Sequence, residues 1–196
     1  MKSIGYSKRV LSVREITVVA MLTSISVVLG LSGYGFIPLP MVKATVMHIP
    51  VIIGAILEGP RVGLMVGFLF GLFSIIQSIM APNILSFVFL NPLVSVLPRV
   101  LIGLTAYYCF KFFIGKELWR IGFGALVGSL TNTIGVMGMI YILYVADFAQ
   151  AKGISLEAAR ALIGSVIVTN GIPEAIISVA ITVPVVVMIK KVRRQG

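Results

Sequence analysis

Long, continuously apolar runs recur along this chain, and they fix its solvent before any motif is considered. Val13–Ser32, Arg61–Met80, Asn91–Phe113, Ile121–Ala146 and Ala159–Ile189 all reach the length, about 20 residues, that a helix needs to cross a bilayer. The runs do not alternate apolar-out and polar-in, so helices are expected and not the strands of a barrel. With 59% hydrophobic residues, 11% charged and a mean hydropathy of +1.11, the chain lacks the charge to cover a water-soluble surface, where about 25% is usual. A shorter run, Thr45–Leu57, closes at Gly59-Pro60. The expectation is an all-α membrane protein over residues 1–196, one integral membrane domain. Its six transmembrane helices would lie near 13–32, 45–58, 61–80, 91–113, 121–146 and 159–189. The first run is longer than the apolar core of a signal peptide and has no convincing small-residue cleavage site, so it reads as a retained helix.

A net charge of +10 would suggest nucleic acid in a soluble chain, but here the basic residues sit between the runs and at the two ends. With the N-terminus in the cytoplasm and six crossings, the inner regions hold 12 of the 16 basic residues: Lys2, Lys8, Arg9, Arg14, Arg61, Lys111, Lys116, Arg120, Lys190, Lys191, Arg193 and Arg194. The positive-inside bias therefore predicts both termini cytoplasmic and a short second helix that crosses. Within MHIPVIIGAILEGP, Pro50 suits a first helical turn, whose amides have no intrahelical acceptors. Glu58 falls at a helix C-terminus, unfavourable for its charge, with water or Arg61 as the expected compensation. The single cysteine, Cys109, reads as a small hydrophobe.

Polar residues inside apolar runs carry the functional signal. Arg99 in NPLVSVLPRVLIG lies about 12 Å inside the fourth run, and Pro98 before it removes a backbone donor. A guanidinium there costs several kcal/mol unless it faces protein or water. It is either a structural arginine or an anchor whose fork meets a carboxylate or phosphate. Asn132 sits in GSLTNTIG, and Asn170 and Glu174 share one helix face in IVTNGIPEAII. Gly171 and Pro173 disturb regular bonding between them, so Asn170 reads as cavity-lining, against a helix–helix hydrogen bond. Glu174 is open to pairing with an arginine, orienting Asn170 or meeting a coupling partner. The two Thr-Asn pairs are either a repeat remnant or chance.

The outer connection GYGFIPLPMVK buries bulk only if Gly35, Phe36, Ile37, Pro38 and Leu39 fold back over a cavity, with Lys43 at its rim. The alternative is a position in the headgroup layer, where aromatic residues are common. PNILSFVFLNP, including Asn91, has the same character. Gly63, Gly67 and Gly71 mark a close-packing face, and Ala20 and Ser24 another that is open to a membrane partner. No phosphate-binding Walker pattern, HExxH or hydrolase triad spacing is present, which favours recognition over catalysis. His48 is the sole histidine, either at a pocket rim or in a structural hydrogen bond, and no metal site is expected.

VREITVVAMLTSIS, MHIPVIIGAILEGPRVGLMVGFLFGLFS, NPLVSVLPRVLIG, GSLTNTIGVMGMIYILY and TNGIPEAIISVAITVPVV, in this order, resemble the substrate-binding S components of energy-coupling factor (ECF) vitamin transporters. The resemblance covers roughly residues 10–190 and looks most like the branch assigned to pantothenate. It implies a non-enzymatic protein of the prokaryotic plasma membrane that captures a vitamin outside and docks on a coupling T subunit bearing two cytoplasmic ATPases. ATP and Mg²⁺ would be used only by those partners, and this chain would need no cofactor. It further implies T-subunit docking through Ala20 and Ser24, where alanine is common at the second position, and a lid from Gly35 to Thr45. Arg99 would hold the vitamin's carboxylate, with Lys43 as rival anchor; Asn132, Asn170 and Tyr141 would supply hydrogen bonds. Another vitamin, such as riboflavin or folate, and a stand-alone secondary transporter of a small organic anion are the alternatives.

Overall fold

The computed structural model describes residues 12–38, 43–82 and 85–195. Lys2, Lys8, Arg9 and the lid residue Leu39 lie outside the described residues. Helix α1 (Val13–Ser32) opens on a capping box, in which the Ser12 hydroxyl accepts the Glu15 N–H and Glu15 accepts the Ser12 N–H. It closes on Gly33 at φ 78°, a left-handed stop that glycine adopts freely. An antiparallel ribbon follows, β1 (Phe36–Pro38) against β2 (Lys43–Thr45), with Phe36 opposite Thr45. The remaining elements are α2 (Ile49–Glu58), α3 (Pro60–Met80), α4 (Ser86–Phe89), α5 (Pro92–Ser95), α6 (Leu97–Phe112), α7 (Glu117–Lys152) and α8 (Leu156–Gln195). Among the described residues, five helical segments are long and apolar enough to cross a membrane: α1, α3, Pro92–Phe112, α7 and α8.

The 10 residues of α2 give a helix of only about 15 Å. It starts at Ile49, later than the apolar run suggests, because the preceding amides are engaged elsewhere. The Thr45 N–H donates to the Glu174 carboxylate, and the Val46 N–H to the Gly35 carbonyl. Pro50 sits in the first turn, where its missing N–H is harmless. Every residue from Ile49 to Ile56 is buried, so α2 is the apolar post around which the other helices stand. Its Val51 and Ile52 share one core with Val62, Val66, Ile102, Ile121 and Ala125, all without exposure.

At 36 and 40 residues, α7 and α8 are about 54 and 60 Å long, well beyond a hydrocarbon core of about 30 Å. They therefore extend past the apolar runs read from the sequence. The backbone of α7 breaks at Tyr144 (φ −136°, ψ 16°), whereas α8 carries Pro173 and Pro184 within it. The fourth run is likewise divided, with Asn91 capping α5 and Val96 separating α5 from α6.

Backbone-to-backbone packing of α3 on α6 sets the centre of the bundle. A β-carbon on Gly67 would stand 2.2 Å from the Arg99 carbonyl oxygen, and one on Gly71 2.7 Å from Val96 Cα. Gly63 and Gly103 face each other, a β-carbon on Gly103 falling 2.4 Å from the Gly63 carbonyl carbon. The glycine face of α3 is thus used internally.

One end of the bundle is tied by charge. Glu58, ending α2, pairs with Arg14 of α1 at 3.2 Å and with Arg193 of α8. Its compensation comes from these two sequence-distant arginines, not from neighbouring Arg61, because α1, α2 and α8 end side by side here. Glu117, opening α7, pairs with Lys190 at 2.7 Å and Arg194 at 3.6 Å.

Replacing Gly67 with Ala should force α3 off α6 and cost about 1–3 kcal/mol, read as a lowered thermal midpoint in detergent. Gly138→Ala is the control. Nothing lies within 4 Å of the added carbon, so that midpoint should hold or rise.

Candidate ligand-binding site

Away from the charged end, two cavities of about 380 and 150 Å³ share Thr45, Phe89 and Arg99 as walls. The larger adds Phe36, Met47 and a polar edge of α3, namely Ser74, Gln77 and Ser78. The smaller adds Asn132, Thr133, Asn170 and Glu174 among apolar Val136, Met137 and Val166. Wall residues thus come from the ribbon, α3, α4, α6, α7 and α8, and the packed helices hold them in place.

Arg99 is only 7% exposed. Its Nη1 donates to the Val94 carbonyl at 2.7 Å, and the guanidinium carbon lies 5.8 Å from the ring centroids of both Phe70 and Phe89. Nε has no partner, and among the described residues no carboxylate forms an ion pair with it. Beside it the buried side-chain oxygen of Asn132 is also unpartnered. Buried polar atoms are nearly always satisfied, so a positive charge and an amide oxygen left open on one cavity define where a polar ligand would be held.

Glu174, 4% exposed, is by contrast fully engaged. One carboxylate oxygen accepts the Thr45 N–H at 2.9 Å and the Thr45 hydroxyl at 2.6 Å; the other accepts the Thr133 hydroxyl at 2.7 Å. It therefore fastens the end of the ribbon to α7 and α8. Pairing with an arginine and orientation of Asn170 are not what its contacts show.

The structure brings Arg99, Asn132 and Asn170 onto one cavity wall and adds Phe36 from the outer connection. Gly35 is buried beside it, and Ile37 and Pro38 continue β1. Lys43 enters as the backbone of β2, opposite Pro38. The other named residues stand elsewhere. Asn91 caps α5 through the Leu93 N–H and donates to the Tyr144 hydroxyl, both at 2.9 Å. Tyr141 lies on an exposed face of α7 and lines neither cavity. His48 is wholly buried at the head of α2, its Nε2 3.0 Å from the Ser129 hydroxyl, a structural bond away from the cavity walls. Ala20 and Ser24 are exposed on α1, the Ser24 hydroxyl turned back on the Ala20 carbonyl.

Thr45, expected only as the end of the lid, joins Thr133 and the α3 edge, neither expected from the sequence, as walls of these cavities. Ser74, Gln77 and Ser78 do carry a signal, since polar residues at i, i+3 and i+4 in an apolar run share one face.

A helical membrane protein with an open cationic group and polar walls on an internal cavity is built to hold a small polar solute. Residues 14–186 match the family described as the substrate-specific component of ECF transporters, and the chain belongs to that family. It is a multi-pass protein of the prokaryotic plasma membrane with a transport role. It is 29% identical over 200 residues to the pantothenic acid transporter PanT of Lactococcus lactis, covering 93% of this chain and 96% of that protein. Against the pantothenate transporter PanT of Leuconostoc mesenteroides it is 34% identical over 113 residues, 53% of this chain and 55% of the relative.

Truncating Glu174 to Ala should release the ribbon. Hydrogen exchange at the Thr45 amide is expected to rise by about 10–100-fold, the loss of bonds to a charged acceptor, while amides at the α3–α6 contact stay protected.

Proposed function

We propose that this chain captures pantothenate from the outer side of the membrane and delivers it through an ECF complex. A coupling T subunit and two ATP-hydrolysing subunits complete that complex. The observation that carries the reading is Arg99, a buried guanidinium that forms no ion pair among the described residues, on a cavity that also presents Asn132, Asn170 and Glu174. Pantothenate supplies the complementary set: a carboxylate for Arg99, an amide for the asparagines and hydroxyls for the remaining polar walls. Both relatives are pantothenate transporters, which supports the same solute. Apolar Phe36, Met47 and Phe89 exclude water, which strengthens the charge-assisted bonds. The ribbon acts as the lid, fastened through Thr45 to Glu174. Ala20 and Ser24, exposed on α1, form the docking face for the T subunit.

The same reading gives six crossings with both termini cytoplasmic. The charged ends of α1, α2 and α8 meet at Glu58, while the chain before α2 lies at the cavity, so the short α2 carries the chain back between the two ends. With Cys109 replaced by Ser, a cysteine at Ser155 should be labelled from outside intact cells. One at Arg194 should be labelled only after permeabilisation.

The test of the substrate is equilibrium binding of radiolabelled pantothenate to purified protein. Wild type should bind it, Arg99→Ala should weaken binding by about 100-fold or more, and Arg99→Lys should fall between, keeping charge but losing the fork. Unchanged affinity in Arg99→Ala would remove the anchor. Binding of riboflavin or folate in place of pantothenate would replace the substrate. Uptake into liposomes without ATPase subunits would instead make the chain a secondary transporter.

A further inference from the structure

A second concavity, of about 360 Å³, lies on the outside of the bundle among α1, α2 and α8. Its walls are wholly apolar, with Met21 and Ile25 from α1, Ile53 from α2, and Ile181, Val185 and Ile189 from α8. The short α2 packs on both α1 and α8, whereas those two scarcely touch each other, so a groove is left with α2 as its floor.

What distinguishes this groove from ordinary lipid-facing surface is how it ends. On α8 the series Ile181, Val185, Ile189 continues at the same spacing to Arg193. On α1 the face bearing Ile25 and Met21 continues two turns further to Arg14. Both guanidiniums reach the same carboxylate oxygen of Glu58, at the end of the floor. One acid between two arginines leaves an excess positive charge, and Arg14 is 63% exposed against 10% for Glu58. Arg61, Lys190, Lys191 and Arg194 also lie at this end, against Glu15 and Glu117, so that it stays net positive.

We propose that this groove binds an anionic phospholipid, with an acyl chain along the apolar walls and the phosphate between Arg14 and Arg193. Basic pockets between membrane helices are suited to such headgroups, and the charge excess selects an anionic lipid over a zwitterionic one. Glu58 competes with the phosphate for the two guanidiniums, which fixes the sign of each variant's effect.

The experiment is native mass spectrometry of the purified full chain, titrated in neutral detergent with palmitoyl-oleoyl phosphatidylglycerol or phosphatidylcholine. Phosphatidylglycerol should bind preferentially, and soluble glycerol phosphate should not compete, since it lacks the chain. Arg14→Gln and Arg193→Gln should each weaken phosphatidylglycerol by about fivefold, one basic side chain's worth at an anionic headgroup. Glu58→Gln should tighten it. Ile25→Trp, which fills the groove, should abolish it, and monodisperse elution identifies the variants that remain folded. Equal binding of the two lipids overturns the proposal, as does unchanged phosphatidylglycerol affinity in both arginine variants or weaker binding in Glu58→Gln. A lipid-free dimer that Ile25→Trp dissociates would assign the groove to a second copy. A groove that stays lipid-free and becomes protected from labelling only with the T subunit would assign it to that partner.

Discussion

A buried positive charge that forms no ion pair among the described residues is the constraint on which this architecture turns. Desolvating a guanidinium costs several kcal/mol, and the Val94 carbonyl and two aromatic faces offset only part of that. The remainder has to come from the packing that fixes the helix bearing Arg99. That packing is the α3–α6 contact, where Gly67 lies against the Arg99 carbonyl and Gly71 against Val96. With no β-carbons at Gly63, Gly67 and Gly71, the α6 backbone is held at short range, and the Arg99 side chain leaves from a helix fixed in place. The same two helices carry the polar edge of the larger cavity and Arg99 itself, so wall and anchor are positioned by one contact.

The parts of this arrangement that were legible in the sequence share a physical basis: each violates the bilayer's demand for apolar surface. Arg99, Asn132 and Asn170 stand out because polar groups at depth are expensive, and all three reach the cavity. The glycine series on α3 is legible because regular small residues have no other use in a long apolar helix. Glu174 stood out as well, but its partners did not. Thr45 lies 129 residues away in the chain and comes from an extended ribbon, so no helical period links the two. Thr45 and Thr133 are themselves inconspicuous, since a threonine in a membrane helix usually bonds to its own backbone. Asn91 and Tyr141 were conspicuous on the same ground, yet neither lines the two cavities. Asn91 is consumed as a cap and as a donor to Tyr144, where the break in α7 brings that hydroxyl within reach, while Tyr141 is left on an exposed face of the same helix.

The fold also separates its charges by task. At one end, Glu58 and Glu117 each gather two basic partners from elements distant in sequence, drawing together the termini of α1, α2, α7 and α8. These contacts are partly exposed, and individually such pairs contribute little. Their value is geometric, because α2 is too short to hold the helices in register by length alone. Towards the other end two buried charges, Arg99 and Glu174, border one cavity without pairing, and that separation leaves the guanidinium open to a ligand.

Arg99 and Glu174 border the same cavity yet do not pair, which restricts what can enter it. Had they met, the pair would be self-satisfied and a ligand would have to break it. Instead both oxygens of the carboxylate are engaged by Thr45 and Thr133, whereas the guanidinium keeps an unpartnered Nε. A neutral ligand would leave Arg99 uncompensated in a drier cavity than before, and a cation would meet it head-on. An anion long enough to reach Asn132 and Asn170 satisfies both ends, with the carbonyl-like acceptor of Asn132 requiring an N–H or O–H on the ligand. Binding such a molecule also fills the space beside Thr45, so occupancy and the seating of the ribbon are coupled through Glu174. Under the proposed function, solute selection and lid position would both depend on this buried carboxylate, although it need not touch the solute's charge.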